Sequence, residues 1–236
     1  MPGVSAVSPA ALVARCTCVV LAVPDDQIAA TCAALPWRAG QAIVHSSGAL
    51  DLGALGAAAA RGALRGCVHP LQSFPDRGGN PERFAGIRCG VEADRALLRP
   101  LTALVRALGA TPLSLRGVDR AGYHAAAVLA SNYVVALHAA AERAWALSGL
   151  PARSARSALA SLTLGAATAL QARTLERALT GPLARGDVRT LQGHLRALDA
   201  APELRALYVQ LGRVLLDRKL GLPARTRRRL QRLLQP

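Results

Sequence analysis

At 236 residues the chain is long enough for one large domain or two small ones, with length to spare for a real core. An apolar fraction of 52% against 18% charged excludes a disordered or acidic solvating chain. The net charge of +15 is carried almost wholly by arginine, 28 of 29 basic residues beside 50 alanines, a skew that reflects coding composition as much as choice of partner.

Residues 16–23 (CTCVVLAV) form a continuous apolar run stopped by Pro24, the pattern of a strand buried on both faces of a parallel sheet. On that strand Cys16 and Cys18 share one face as small hydrophobes. Asp25 and Asp26 follow as N-cap candidates for a helix whose Ile28, Cys32 and Leu35 fall on one face. Residues 42–44 predict a second strand running into His45-Ser46-Ser47-Gly48. A further helical pattern leads to Cys67-Val68-His69, stopped by Pro70, and residues 87–91 and 113–115 complete about five strands. Strand, loop and helix in this alternation specify an α/β sheet, mostly parallel. Beyond about residue 118 the strand signal ends, and residues 119–148, 152–172, 187–198 and 202–220 carry helical periodicity. The expected domains are therefore an α/β domain over 1–117, an all-helical domain over 118–221 and an Arg-rich tail over 222–236.

The first helix of the second half is apolar all round, which implies burial within its domain or against a partner chain. Residues 121–141 carry no charge and are long enough to span a bilayer. His124, Ser131, Asn132, His138 and the many alanines argue instead for a helix of a soluble domain, with no membrane partner. The N-terminal apolar stretch has no basic residue ahead of it, unlike a signal peptide, and a reducing cytoplasm is the expected location. The five cysteines show no C-x-x-C spacing, so no metal site is expected. The dense run Arg225, Arg227, Arg228, Arg229 and Arg232 reads as a solvated terminal helix. With seven aromatic residues and no nucleic-acid-binding motif, nucleic acid is not the expected partner. Arg185-Gly186-Asp187 reads as a turn with Asp187 capping the next helix.

In a parallel sheet, ligands bind outside the carboxyl ends of the strands. Three segments lie there: Val23-Pro24-Asp25, His45-Ser46-Ser47-Gly48, and His69-Pro70-Leu71-Gln72-Ser73-Phe74. Each alone is ordinary loop polarity; together on one edge they make a candidate site. The long helix adds Tyr123, His124, Ser131 and Asn132. Two readings fit these four: a satisfied polar network in the core, or a proton donor (His124 or Tyr123) beside an amide that orients a carbonyl oxygen. His138 and His194 read as structural or surface residues.

LAVPDDQI (21–28), HSSGAL (45–50), HPLQSF (69–74), YHAAAVLASNY (123–133) and ALTGPLARGD (178–187) together resemble a bacterial family of Rossmann-like proteins with a C-terminal helical domain of unknown function. That family is related to deazaflavin-dependent NADP oxidoreductases, pyrroline-5-carboxylate reductases and 6-phosphogluconate-dehydrogenase-like enzymes. The resemblance runs in order from about residue 3 to 215. It implies an N-terminal NAD(P)-binding fold, a helical domain of the 6-phosphogluconate-dehydrogenase-like type that often builds a homodimer, and a site in the cleft between them. The implied chemistry is hydride transfer from NADP (or NAD) in its reduced form to a small oxo acid or imine, a ketopantoate-like acid being one example. Val23, Pro24, Asp25, His45, Ser46, Ser47 and Gly48 would border the nicotinamide. Tyr123, Gln72 and Ser131 would hold substrate, and His124, Asn132 and His69 would be catalytic.

Two departures qualify that expectation. The related proteins begin with a strand, a G-x-G-x-x-G turn and a helix that together hold the pyrophosphate. Nothing in this sequence matches the turn, so the resemblance implies an α/β domain short by roughly 50–60 residues. Enzymes of the wider superfamily also place Lys four residues before this Asn; here that position is Val128, and the sole lysine is Lys219. His124, eight residues before Asn132, is the remaining acid, with His69 across from it. The alternative is a non-catalytic, dimeric binding or scaffold protein of the same family.

Overall fold

The computed structural model describes residues 5–74, 80–218 and 220–235, so Lys219 lies outside the described residues. The chain divides into two compact units, Met1–Asn132 and Tyr133–Pro236.

The first unit is built on one five-stranded sheet: β1 (Cys18–Leu21), β2 (Ala42–His45), β3 (Leu64–Pro70), β4 (Arg88–Ala93) and β5 (Thr111–Ser114), side by side in chain order. β1, β2 and β3 run parallel, β4 runs antiparallel to β3, and β5 runs parallel to β4. The carboxyl ends of β1, β2 and β3 therefore share one edge of the sheet with the start of β4. β2 explains why its sequence is apolar without alternation. Ile43 enters a core with Val19, Leu21, Ile28 and Leu55, while Ala42 and Val44 enter another with Val91, Leu97 and Val105.

Around this sheet lie α1 (Pro9–Arg15), α2 (Asp25–Ala33), α3 (Gly56–Ala59), α4 (Arg95–Ala107) and α5 (Arg120–Ala130). α1 is absent from the sequence reading; Ser8 caps it by accepting from the Ala11 N–H. α2 starts after Pro24, so Asp25 and Asp26 occupy its first turn and do not cap it. α4 presents Leu97, Leu101 and Val105 to the sheet at helical spacing. β1 departs from the expectation of a strand buried on both faces. Val19 and Leu21 are buried, but Cys18 and Val20 are exposed, because β1 is the edge strand and only one of its faces meets a core cluster.

The second unit contains α6 (Asn132–Leu147) from Tyr133 on, α7 (Ala152–Ala172), α8 (Leu175–Ala178), α9 (Pro182–Arg185), α10 (Val188–Ala197), α11 (Pro202–Leu216) and α12 (Ala224–Leu233). Leu183, Leu191, Leu195, Val209, Leu216, Leu230 and Leu234 form its core. The Arg-rich tail is thus docked: Leu230 and Leu234 are fully buried and Arg227 donates to the Leu216 carbonyl at 2.6 Å. Arg225, Arg228, Arg229 and Arg232 remain exposed. Gly186 takes a left-handed conformation and Asp187 caps α10 through the Thr190 N–H, as the turn reading requires.

The single helix expected over 119–148 is divided at Ser131, which has φ −123° and ψ −75°. Its hydroxyl is hydrogen-bonded to the Ser73 hydroxyl at 2.7 Å, a tie outside the helix that favours the break. The expectation of burial within the domain does not hold either. None of the most apolar stretch within Arg120–Leu147 is buried in the single chain, although its length and composition alone would suffice to cross a bilayer. α6 buries no residue and α7 only Ala155.

Candidate active site

The site assembles at the sheet edge where β1, β2 and β3 end, wholly within the first unit. Its base is the loop after β2. Ser47 is buried; its hydroxyl donates to Asp25 Oδ2 at 2.7 Å and accepts from the Ala49 and Leu50 N–H groups. One side chain thereby closes the loop on itself and ties it to the start of α2. His45 has no exposure; its Nδ1 accepts from the Ser47 N–H, which places the proton on Nε2, 3.2 Å from the Asp51 carbonyl. Burial holds the His45 imidazole below its usual range, so it sits neutral within the loop. His45 and Ser47 shape the loop, whereas Ser46 is exposed. Val23 packs partly against the core and Pro24 is exposed at the end of β1.

Gly48 brings this loop against two imidazoles. A Cβ there would stand 2.7 Å from His69 Nε2 and 2.9 Å from His124 Cδ2, so glycine is required by close approach. His69 lies near the end of β3, and its Nδ1 is hydrogen-bonded to the Tyr123 hydroxyl at 2.7 Å. The His124 ring crosses His69 edge-on, with centroids 6.2 Å apart. Gly90, the partner of His69 across the β3–β4 ladder, leaves room for the Tyr123 hydroxyl, which would meet a Cβ at 2.8 Å. Burial first, then the nearby His124 and the Arg120 cation, push the His69 pKa down. Burial raises that of Tyr123. Near neutral pH the pair is an uncharged imidazole and an intact phenol sharing a short hydrogen bond, able to hold or pass one proton.

His69, Tyr123 and His124 open onto a cavity of about 900 Å³ whose wall includes Gln72, Ser73, Ser131 and Asn132. The Ser73 hydroxyl pairs with Ser131, its N–H donates to Gln72 Oε1 at 2.9 Å, and its carbonyl accepts from Arg83 at 2.8 Å. A second, more apolar cavity of about 580 Å³ adjoins it, bounded by His69, Pro70, Phe74, Phe84 and Ser46. All three strand-end segments singled out in the sequence meet at this edge. Of their residues, His69, Gln72, Ser46 and Gly48 face the open space or its imidazoles, and Tyr123, His124, Ser131 and Asn132 close it from the helix side.

Sequence reasoning missed Ser73 as a contact of Ser131 and missed the buried ion pair between Arg120 and Glu92 beneath Tyr123. The spacing of Arg120 three residues before Tyr123 was the available signal. His138 lies 3.5 Å from Glu142, and His194 is bonded to the Tyr208 hydroxyl at 2.8 Å.

A dinucleotide needs a turn that offers free amide N–H groups to its pyrophosphate. Each described helix entered directly from a strand begins with an aspartate: Asp25 and Asp26 in α2, Asp94 at α4 and Asp119 at α5. Asp119 also occupies the Ala121 and Gly122 N–H groups. Among the described residues these strand-to-helix turns therefore offer a pyrophosphate no anion cradle.

Comparison with known proteins agrees with this fold. The chain matches Domain of unknown function (DUF2520) over residues 87–215 and a Rossmann-like domain over residues 1–70. No curated protein matches it. Among solved structures it is similar to protein TM1727 from Thermotoga maritima, at 26% identity and TM-score 0.69, covering 85% of this chain and 77% of that one. It is similar to a putative NADP oxidoreductase, BF3122 from Bacteroides fragilis, at 21% identity and TM-score 0.68, covering 86% and 76%. A reductive aminase from Aspergillus terreus in complex with NADPH and ethyl levulinate shares the fold at 18% identity and TM-score 0.57, covering 94% and 81%.

Proposed function

Because this chain belongs to the family of Domain of unknown function (DUF2520), preceded by a Rossmann-like segment, we propose that it is a nicotinamide-dependent reductase of a small carbonyl or imine compound. The observation that carries this reading is the convergence of His69, Tyr123 and His124 on one cavity at the carboxyl ends of β1, β2 and β3. The likeness to the putative NADP oxidoreductase and to the NADPH-bound reductive aminase supports it. A nicotinamide dinucleotide, NADP or NAD, would supply the hydride when bound. The chain supplies the proton that turns the reduced oxygen or nitrogen into a hydroxyl or amine. His124 is the acid, and the neutral His69–Tyr123 pair stands beside it to hold and return a proton. Asn132 and Ser131 orient the substrate oxygen and Gln72 meets its polar end, which suits a small oxo acid such as a ketopantoate-like compound. Val23, Pro24, Asp25 and Ser46 border the nicotinamide, with His45, Ser47 and Gly48 fixing the loop that carries Ser46.

In this reading residues 1–117 hold cofactor and residues 118–221 hold substrate and pair two chains. α6 and α7 leave Val135, Leu162 and Leu164 about 70% exposed, apolar surface that a second copy would cover. Five free thiols fit a reducing cytoplasm. The test is oxidation of NADPH by the full chain across a panel of small oxo acids and cyclic imines, with His124→Gln as the control. Turnover that falls at least about tenfold in the variant supports the acid assignment, and equal turnover removes it.

A second reading rests on the aspartates at the helix starts, which disfavour a pyrophosphate. It is a dimeric binding protein of the same family without redox chemistry, and it predicts a ligand-responsive dimer that leaves NADPH unoxidised.

A further inference from the structure

Arg120 is a buried cation in the first turn of α5, with 7% of its surface exposed. Its Nη2 donates to Glu92 of β4 and its Nη1 to the Cys67 sulfur of β3 at 3.7 Å. Cys67 and Glu92 are directly opposite one another in the β3–β4 ladder. The next rung on the same face, two residues on, is His69 opposite Gly90, and there Tyr123 makes its contacts with both strands. Two residues along a strand advance about 6.6 Å and three along a helix about 4.5 Å, so Arg120 and Tyr123 are near matches for two successive rungs. The thiol of Cys67 in turn donates to the Ser47 carbonyl at 3.4 Å, and Ser47 holds the loop that presses Gly48 against His69 and His124. The three elements around His69 thus meet at one guanidinium. Burial works against its charge, but the hydrogen bonds to Glu92 and Cys67 outweigh that cost and keep it a cation.

We propose that Arg120 is a positioning residue: its fork, set on the Cys67–Glu92 rung, fixes the register of α5 against β3 and β4 and so brings Tyr123 and His124 onto His69. Rigid planar donors suit this task because guanidinium hydrogen bonds specify direction, whereas a lysine ammonium does not. The role rests on reading His69, Tyr123 and His124 as the reactive cluster, but its test needs no substrate.

The test is nuclear magnetic resonance of the histidine rings in the full chain, comparing wild type with Arg120→Lys, Arg120→Met and Glu92→Gln. The groups facing His69 are Tyr123, His124 and Arg120 from α5, Asp25 from α2 and His45 from β2. In Arg120→Met the His69 titration moves to higher pH through loss of a nearby cation, and the cross-peak between the His69 and Tyr123 rings falls to less than half. In Arg120→Lys the charge stays, so the titration moves less, but the cross-peak weakens because the fork is gone. Glu92→Gln keeps an acceptor for Arg120 and preserves the cross-peak. Wild-type ring cross-peaks in a folded Arg120→Met or Arg120→Lys chain overturn the proposal. If Arg120→Met fails to fold, the lysine variant decides alone. A chain that oxidises no NADPH yet shows these spectra refutes the reductase reading and leaves the positioning role standing.

Discussion

Gly48→Ala probes the site at its tightest point. The added methyl would stand 2.7 Å from His69 Nε2, 2.8 Å from His69 Cε1 and 2.9 Å from His124 Cδ2, all closer than real carbon contacts allow. The His69 ring cannot simply rotate clear. His69 is held by Tyr123 at 2.7 Å, and the Ser47 hydroxyl holds the loop behind Gly48 by accepting from the Ala49 and Leu50 N–H groups and donating to Asp25. Overpacking of this kind costs about 1–3 kcal/mol. A chain of this length loses roughly 2–4 °C of melting temperature per kcal/mol, so a cost near the middle of that range lowers Tm by about 4–8 °C. Thermal unfolding followed by circular dichroism measures it. Gly165→Ala in α7 is the control, since a Cβ there meets nothing within 4 Å and removes a helical glycine, leaving Tm equal or higher. A Gly48→Ala chain that melts with wild type and keeps the His69–Tyr123 contact would refute the close-approach account.

Tyr123→Phe removes the hydroxyl bonded to His69 and leaves the ring in place; reductase turnover falls about tenfold or more while the fold holds, as read by NADPH oxidation beside circular dichroism. Burial keeps His45 and His69 below the usual imidazole value of 6.5, so the unfolded chain takes up protons before the folded one. Their neutral forms favour the fold above that pH, and urea midpoints measured between pH 7 and 5 fall as pH drops. Val135→Glu together with Leu162→Glu places charge on the bare faces of α6 and α7; sedimentation shows a dimer for wild type and a monomer for the variant. Asp94→Asn removes the negative charge and one of the two oxygens that accept from the Arg65 N–H, Nε and Nη2, at 2.8, 3.2 and 2.9 Å, and lowers stability by about 1–2 kcal/mol at neutral pH.

The sheet and its site edge were legible because strand ends announce themselves: Pro24, the HSSG loop and Pro70 each stop an apolar run. The antiparallel step from β3 to β4 was not, since no short hairpin turn joins them. Polarity flagged His45 and Ser47 but could not show that both are spent inside the loop, on Asp51 and on the Ala49 and Leu50 amides. That accounting needs coordinates. The break at Ser131 hid within an alanine-rich pattern that runs unchanged across it; a hydroxyl of another loop favours it, and no local propensity records that. α12 carried a readable signal in Leu230 and Leu234, four apart, which the surrounding arginines obscured. Nothing in the pattern around Arg120 sets it apart; only its partners on β3 and β4 do.

Titration of the full chain with NADPH, watching Tm and the ring signals of His69 and His124 together, tests the reductase reading most directly. A ligand at 100 times its Kd stabilises the folded chain by about 2.7 kcal/mol. The reading predicts a rise in Tm and shifts confined to His69, His124 and their neighbours. An unchanged Tm with unmoved histidine signals at millimolar NADPH would contradict it.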